Sequence, residues 1–163
     1  MARIDKAALV KELLAKLEAE LANMTKAANT AREAATHEEA KPENDKDTRA
    51  LEASYLAAGQ AERVRDLEAA IKTVSKMELL AIDGGTPIQT SAVVVLEDED
   101  ETQATYFLAP YGGGTTLTME GKQVQVVTPK SPLGQALLGR TKNDVIELRG
   151  KGGLKEMTIV DVS

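Results

Sequence analysis

The chain has 163 residues, of which 20 are Lys or Arg and 26 are Asp or Glu, so its formal net charge is -6. It contains no cysteine and one histidine, which excludes a disulfide framework, a thiolate zinc site and a multi-histidine metal centre. The metal chemistry that remains is that of carboxylates. The negative net charge also argues against tight binding to duplex DNA, which requires a basic surface against the phosphates.

The first residues of the chain alternate between charged and apolar side chains, unlike the continuous apolar run of a signal peptide. A run of about 18 apolar residues, the minimum for a membrane span, does not occur. We therefore expect a cytoplasmic protein that makes no contact with a membrane.

The composition changes near residue 78. Residues 1–78 are rich in Ala, and Gly59 is the only one of the 12 glycines that lies there. Residues 79–163 hold the remaining glycines together with most of the valines. Ala-rich sequence without Gly favours helices, whereas Val and Thr between glycines favour short strands and turns. The composition predicts a helical domain over residues 1–78 and a β-rich domain over residues 79–163.

Two apolar stripes with three- and four-residue steps run through the first half and predict two long helices. The stripes are Leu9, Leu13, Leu17, Leu21, Met24, Ala28, Ala31 and Ala35, then Leu51, Tyr55, Ala58, Ala61, Val64, Leu67, Ile71 and Val74. Between them, residues 37–47 contain no apolar side chain larger than Ala, and Pro42 cannot continue a helix. We therefore expect the chain to reverse there and form a long antiparallel coiled-coil hairpin.

The predicted hairpin turn carries the only concentrated chemical signal in the sequence. Its acidic residues are Glu38, Glu39, Glu43, Asp45 and Asp47. Carboxylates are hard oxygen ligands that suit Mg²⁺, which accepts one or two of them and completes its shell with water and phosphate. The alternative is an exposed, soluble turn that caps the second helix and has no further role.

Two arginines near the turn, Arg32 and Arg49, are candidates for contact with a nucleic-acid phosphate or another anionic surface. The alternative for both is ordinary pairing with an acidic residue four positions away on the same helix.

The second half predicts a small sheet with one short helix, which completes an α+β fold. The predicted strands are Ala92–Leu96, Thr105–Ala109, Gln123–Val127, Val145–Arg149 and Met157–Val162. The helix lies within Ser131–Gly139, where Ser131 is suited to the N-cap, Pro132 to the first helical position and Gly139 to the end.

The helical hairpin, the acidic tip and the run Ser131–Gly139, followed by Asp144-Val145-Ile146, together resemble the bacterial Gre transcript-cleavage factors (GreA/GreB). The resemblance implies an FKBP-like C-terminal domain that docks on RNA polymerase at the rim of its secondary channel, while the hairpin enters the channel. It places the docking contacts around Ser131, Pro132, Leu133 and Gly134, although the apolar members of this run also suit packing against the sheet.

The resemblance further implies that carboxylates at the tip help to hold a Mg²⁺ ion in the polymerase active site, where the 3′ end of backtracked nascent RNA is cleaved. The family sequence Asp-Leu-Ser-Glu-Asn corresponds here to residues 40–44, Ala-Lys-Pro-Glu-Asn. Glu43 is thus the first candidate for the catalytic and Mg²⁺-binding carboxylate, and Glu39 or Asp45 would replace the carboxylate missing at Ala40. The implied protein is a monomeric accessory factor that binds no cofactor stably by itself.

Three alternatives remain open at this point. A Gre-like factor with a disabled tip would enter the channel as an inhibitor or modulator without stimulating cleavage. A plain adaptor would use the coiled coil to bind another protein. A prolyl isomerase on the FKBP-like fold is disfavoured, because Tyr106, Phe107 and Tyr111 are the only aromatic residues of the second half.

Overall fold

The computed structural model describes residues 5–39 and 44–163. Their secondary structure, in chain order, consists of α1 (Lys6–Glu39), α2 (Asn44–Ser75), β1 (Val93–Glu97), β2 (Gln103–Leu108), β3 (Thr116–Met119), β4 (Lys122–Val127), α3 (Pro132–Leu137), β5 (Val145–Gly150) and β6 (Gly153–Val162). Two long helices followed by a small sheet with one short helix confirm the predicted α+β class. Within the described residues, none of the helices is both long enough and apolar enough to span a membrane.

The chain divides into two compact units. One consists of residues 5–14 together with residues 73–163, and the other lies within residues 15–72. The boundary that composition suggests at residue 78 marks a change of residue types, whereas the units follow contacts between residues. The two divisions describe different properties, and the domain boundary at residue 78 stays a prediction.

In the helical unit, most described members of the two predicted stripes are buried or half-buried, whereas Ala58 of the second stripe is exposed. Leu17 is buried, and Leu21 and Met24 are half-buried, while most of the side chains between them are exposed. In α2 the same holds for Val64 and Leu67, which are half-buried between exposed charged residues. The burial follows the three- and four-residue steps, as expected of amphipathic helices.

The six strands form one sheet in the order β3-β4-β2-β1-β6-β5. Neighbouring strands are antiparallel except for β2 and β4, which run parallel. The register places Val93 opposite Phe107 and Val94 opposite Tyr106, and a bulge interrupts the pairing of β1 with β6 between Val95 and Leu96. The five predicted strands are present, with ends that differ by up to four residues.

Strand β3 was not predicted from the sequence. Its one large buried side chain is Leu117, which gives too short a pattern to stand out beside the glycine-rich loop. The strand is joined to β4 by a two-residue turn in which Glu120 has φ 49° and Gly121 has φ 79°. Positive φ at both central residues is typical of a type I′ hairpin turn, for which glycine is well suited. The Glu-Gly dipeptide was therefore the available signal.

The main hydrophobic core lies between the sheet and α3. It comprises Ile82, Ile88, Ala92, Val94, Leu96, Leu108, Leu137, Ile146, Ile159 and Val162. On the other face of the same strands, Val93, Phe107, Leu117 and Val126 are also buried. Central strands with both faces covered must carry apolar residues in succession, which explains the unbroken apolar run of β1.

The start of α1 contacts the β-rich part of the chain, which the sequence analysis did not foresee. The Glu12 carboxylate accepts hydrogen bonds from the Thr118 N–H at 3.0 and 3.1 Å, which satisfies a donor of the edge strand β3. The Leu13 side chain packs against Gly112. These contacts join elements that are 100 or so residues apart in sequence and hold residues 5–14 in the same unit as the sheet.

Two hydrogen bonds hold the segment between α2 and β1 in place at Leu80. Its carbonyl accepts a hydrogen bond from Lys6 Nζ at 2.6 Å, and its N–H donates to Ser91 Oγ at 2.9 Å. Ser91 is fully buried. Partial burial lowers the pKa of Lys6 below its usual value, because desolvation disfavours the charged amine.

Candidate functional site

The predicted tip residues lie where the two long helices meet in sequence. α1 ends at Glu39, and Asp45 is the second residue of α2. Arg32 lies about two turns before the end of α1, and Arg49 lies about one turn after Asp45. These four residues are placed by the helix backbone alone. Glu43, the first candidate for the catalytic carboxylate, lies outside the described residues.

The helix ends keep two of the candidate carboxylate residues near each other. Six residue steps separate Glu39 from Asp45, and an extended chain covers at most about 3.6 Å per residue, so their backbones lie within about 20 Å of each other. The connection between the helices includes Glu43. Glu39 and Asp45 therefore lie at the adjoining ends of α1 and α2.

The helix dipoles treat the two sides of the connection differently. Asp45 and Asp47 occupy the first turn of α2, where negative charge is favoured. Glu38 and Glu39 occupy the last turn of α1, where negative charge is disfavoured. Capping of α2 thus accounts for the acids that follow the connection, but not for those that precede it. Negative charge is thus concentrated at the adjoining ends of α1 and α2, as binding of a cation requires.

The spacing on each helix bears on the two arginines. Asp45 and Arg49 are four positions apart on α2, with the acid first, which is the arrangement that stabilises a helix by about 0.3–0.5 kcal/mol. Arg32 and Glu39 are seven positions apart on α1 and therefore share one face. Helix pairing is thus a sufficient role for Arg49, whereas Arg32 is too far from Glu39 for such a pair.

A metal site cannot be assembled from the described residues alone. Among them, no group of three or more His, Asp or Glu side chains is close enough to hold a metal ion. The donor chemistry of the tip nevertheless fits Mg²⁺, which accepts one or two protein carboxylates and takes its other ligands from water and phosphate. The tip carboxylates would therefore fill only part of the coordination shell of such an ion.

The predicted docking residues form the start of α3. Ser131 is the N-cap, as predicted: its Oγ accepts a hydrogen bond from the Gly134 N–H at 3.0 Å and donates one to the Thr128 carbonyl at 2.8 Å. Pro132 is the first helical residue, where the missing N–H costs nothing. Ser131 thus joins the loop before α3 to the helix itself.

Gly134 is buried where α3 meets the preceding loop. A Cβ atom at this position would overlap the Thr128 carbonyl oxygen and lie 3.1 Å from Pro129 Cα. Leu133 is half-buried and packs against the main core. Of the four predicted docking residues, only Pro132 is exposed. The contacts seen for Ser131, Leu133 and Gly134 are therefore internal, and these residues shape the surface that Pro132 presents.

Two exposed apolar residues of the β-rich unit were not singled out from the sequence. Leu138, directly after α3, is 37 % exposed, and Val145, at the start of β5, is 52 % exposed. Backbone hydrogen bonds position the segment between them: the Gly139 N–H donates to Ile88 O at 2.9 Å, and the Ile88 N–H donates to Arg140 O at 2.7 Å. Leu138 was missed because its apolar run favours burial.

A groove of about 500 Å³ beside strands β2, β3 and β4 has the wrong chemistry for a prolyl isomerase. Its lining consists of Gln103, Ala104, Thr105, Tyr106, Thr116, Lys122, Gln123 and Gln125. Tyr106 is the one aromatic side chain among these residues, and burial raises its pKa. A lining dominated by amides and hydroxyls does not supply the apolar walls that a proline ring would need.

Comparison with known proteins assigns the C-terminal part of the chain. The family described as "Transcription elongation factor, GreA/GreB, C-term" matches residues 86–163. The chain is 29% identical to the transcription elongation factor GreA of Rhodospirillum rubrum over 115 residues, which cover 66% of this chain and 69% of that protein. It is 30% identical to GreA of Mesorhizobium japonicum over 114 residues, which cover 69% and 66%.

This chain belongs to the Gre-like family of transcription elongation factors. The Gre match spans all six strands and α3, including Ser131 and Gly134, and it does not include the tip. Among solved structures, Gfh1 of Thermus aquaticus is similar over 93% of this chain and 94% of its own, with 23% identity and a TM-score of 0.39.

Proposed function

We propose that this Gre-like chain is a bacterial elongation factor that binds RNA polymerase through its secondary channel and stimulates Mg²⁺-dependent cleavage of the 3′ end of backtracked RNA. The observation that carries the proposal is the family match over residues 86–163, which includes the capped start of α3. The second support is the placement of acidic residues at the adjoining ends of two long helices.

The dimensions of the helical unit suit entry into a narrow channel. α1 has 34 residues and α2 has 32, so at about 1.5 Å per residue each helix is roughly 50 Å long. The exposed Pro132 and Leu138 would contribute to docking on the polymerase, with Ser131 and Gly134 holding the surface in place. The partner would be the polymerase together with its nascent RNA.

At the tip, Glu43 would act as the carboxylate that positions the attacking water and helps to hold Mg²⁺ in the polymerase active site. Glu39 or Asp45 would provide the second carboxylate. Mg²⁺ supplies Lewis-acid stabilisation of the developing charge and lowers the pKa of bound water. Arg32 and Arg49 would contact RNA phosphate or the channel wall. The factor is not itself an enzyme in this proposal, because the catalytic centre belongs to the polymerase.

The test is cleavage of 3′-labelled RNA in stalled, backtracked complexes of the cognate polymerase, at several Mg²⁺ concentrations. The parent chain should accelerate cleavage, and Glu43→Ala should reduce this stimulation by about 10²-fold, as expected for loss of a group that positions the attacking water. Glu62→Ala, an exposed Glu within α2, is the matched control and should leave stimulation unchanged. Equal activity of Glu43→Ala and the parent would contradict the assignment of Glu43.

A second candidate function is a channel-binding regulator without cleavage activity. The observation that favours it is Ala40, which stands where the family has its Asp, two residues before Pro42. The same assay separates the two functions. A regulator would slow elongation or compete with a cleavage-competent factor without stimulating cleavage. In that case Ala40→Asp should introduce stimulation, because it restores the missing carboxylate.

A protein adaptor, the third reading of the sequence, predicts a different pattern. Substitutions at Glu39, Glu43 and Asp45 would then be silent in every polymerase assay, whereas changes to the exposed surface around Pro132 would abolish binding to the partner. Loss of stimulation on substitution at the tip excludes it.

A further inference from the structure

Strand β5 forms one edge of the sheet, and within the described residues it pairs with β6 alone. The two-residue turn Lys151-Gly152 joins Gly150 to Gly153, and the Ile159 N–H donates to Asp144 O at 2.9 Å. Backbone groups alternate in direction along an antiparallel pair, so the even-numbered residues of β5 bond to β6. The N–H and C=O groups of residues 145, 147 and 149 therefore point away from the sheet.

The side chains of these three residues share one face of the sheet and are exposed. Glu147 lies directly opposite Glu156 of β6, and Arg149 lies opposite Leu154, which is 64 % exposed. Like charges directly opposite each other on neighbouring strands are destabilising. The face thus carries two acids directly opposite each other, an arginine and exposed apolar residues, all beside an open strand edge.

We propose that this edge binds a second copy of the same chain, with the two β5 strands antiparallel and centred on Leu148. In this register Glu147 of each copy lies opposite Arg149 of the other. The outward backbone groups of residues 147 and 149 then form the hydrogen-bonded pairs of an antiparallel ladder. The two sheets become one continuous sheet across a two-fold axis.

The charges explain why this register is preferred. Centring the pair on Glu147 would place Glu147 opposite its own copy, and centring it on Arg149 would place two arginines together. Among the residues of β5 itself, only the register centred on Leu148 brings opposite charges together twice, because Glu147 of each copy then faces Arg149 of the other. Leu148, which is half-buried, then meets its own copy on the core-facing side.

A second copy fits this edge better than an unrelated strand does. When two copies of Glu147-Leu148-Arg149 run antiparallel, the acid of each copy meets the arginine of the other. A two-fold dimer requires this self-complementarity, whereas binding of an unrelated strand does not. Because the interface is isologous, both edges are consumed and the assembly stops at a dimer. This inference departs from the monomer expected from the sequence. It does not depend on the proposed function in transcription.

The experiment is sedimentation equilibrium of the full chain from about 1 µM to about 1 mM, the range in which a small interface associates. The parent chain should show a concentration-dependent monomer–dimer equilibrium. Glu147→Arg and Arg149→Glu should each weaken association by about tenfold or more, because each replaces two opposite-charge pairs with two like-charge pairs.

The decisive sample is an equimolar mixture of the two single variants. Arg at both positions in one chain and Glu at both positions in the other are complementary in this register, so the mixture should form a heterodimer that neither variant forms alone. The double swap Glu147→Arg with Arg149→Glu should likewise dimerise as the parent does. Far-ultraviolet circular dichroism establishes that each variant is folded.

Matched charge reversals at exposed positions outside β5, Glu99→Arg and Lys130→Glu, should leave the equilibrium unchanged. A parent chain that stays monomeric over the whole range overturns the proposal. So does a dimer that the single variants form equally well, and so does a mixture in which no heterodimer appears.

Discussion

Gly134 is the residue on which the arrangement of α3 depends most directly. The helix approaches the preceding loop so closely that any side chain at this position would collide with the Thr128 carbonyl. Such contacts are made with backbone, which cannot rotate out of the way as a side chain can. The requirement for glycine is therefore steric, because one added Cβ atom is enough to cause the overlap.

We predict that Gly134→Ala lowers the free energy of unfolding of the β-rich unit by about 2–3 kcal/mol, the usual cost of forcing extra atoms into a packed site. The measurement is chemical denaturation followed through the intrinsic fluorescence of the tyrosines. Gly59→Ala is the control, because no heavy atom lies within 4 Å of an added Cβ there and alanine favours the helix. An unchanged midpoint for Gly134→Ala would show that the loop can withdraw from α3 at little cost.

At the scale of secondary-structure elements, the contact between α1 and β3 protects a sheet edge. An edge strand presents unpaired N–H groups, and here the Glu12 carboxylate accepts a bifurcated hydrogen bond from one of them, at 3.0 and 3.1 Å. At Thr118 the carboxylate of α1 thereby takes the place of the carbonyl acceptor that a further strand would supply. At the opposite edge, the structure shows no such cover for β5 within the described residues.

We predict that Glu12→Ala lowers the free energy of unfolding by about 1 kcal/mol, since a hydrogen bond to a charged group is lost and a donor is left without it. Amide hydrogen exchange at Thr118 should accelerate more than exchange in the central strands. Glu18→Ala, an exposed acid on the same helix, serves for comparison and should leave the exchange of Thr118 unaltered. Equal protection of Thr118 in both variants would mean that another group takes over the bond.

At the scale of the whole molecule, the β-rich unit is not a continuous piece of sequence. Residues 5–14 belong to it, although about 60 residues of the helical unit intervene before it resumes at residue 73. Leu9, Leu13 and Val74 are all buried within this unit. Long-range contacts of this kind form only when a long loop closes, which costs conformational entropy. Burial of the apolar side chains against their partners offsets that cost.

We therefore predict that a fragment of residues 79–163 is less stable than the same residues in the full chain. Removing Leu9 and Leu13 re-exposes apolar surface worth about 1.5–3 kcal/mol for each fully buried side chain. Thermal unfolding monitored by near-ultraviolet circular dichroism compares the two proteins, and a fragment that also carries residues 5–14 through a flexible linker should recover much of the difference. A fragment with the same midpoint as the full chain would refute a stabilising role for the start of α1.

Local patterns in the sequence were sufficient for much of this architecture. The apolar stripes predicted both long helices, Val and Thr between glycines predicted five of the strands, and Ser131-Pro132 predicted the cap of α3, because each of these features depends on neighbours within a few residues. The candidate tip was taken from the acidic residues beside Pro42, and the roles of Glu39, Glu43 and Asp45 stay predictions, with Glu43 outside the described residues. The FKBP-like relationship also stays a prediction.

The tertiary structure decided the features that depend on residues far apart in sequence. These are the bond from Glu12 to Thr118, the anchoring of Leu80 by Lys6 and Ser91, and strand β3, whose short pattern becomes a strand only beside β4. They also include the outward position of Glu147 and Arg149 at a sheet edge. Apart from the Glu120-Gly121 turn beside β3, a single sequence carries no signal for such pairings, since their free energy arises only when the chain closes on itself and removes apolar surface and unpaired backbone groups from water.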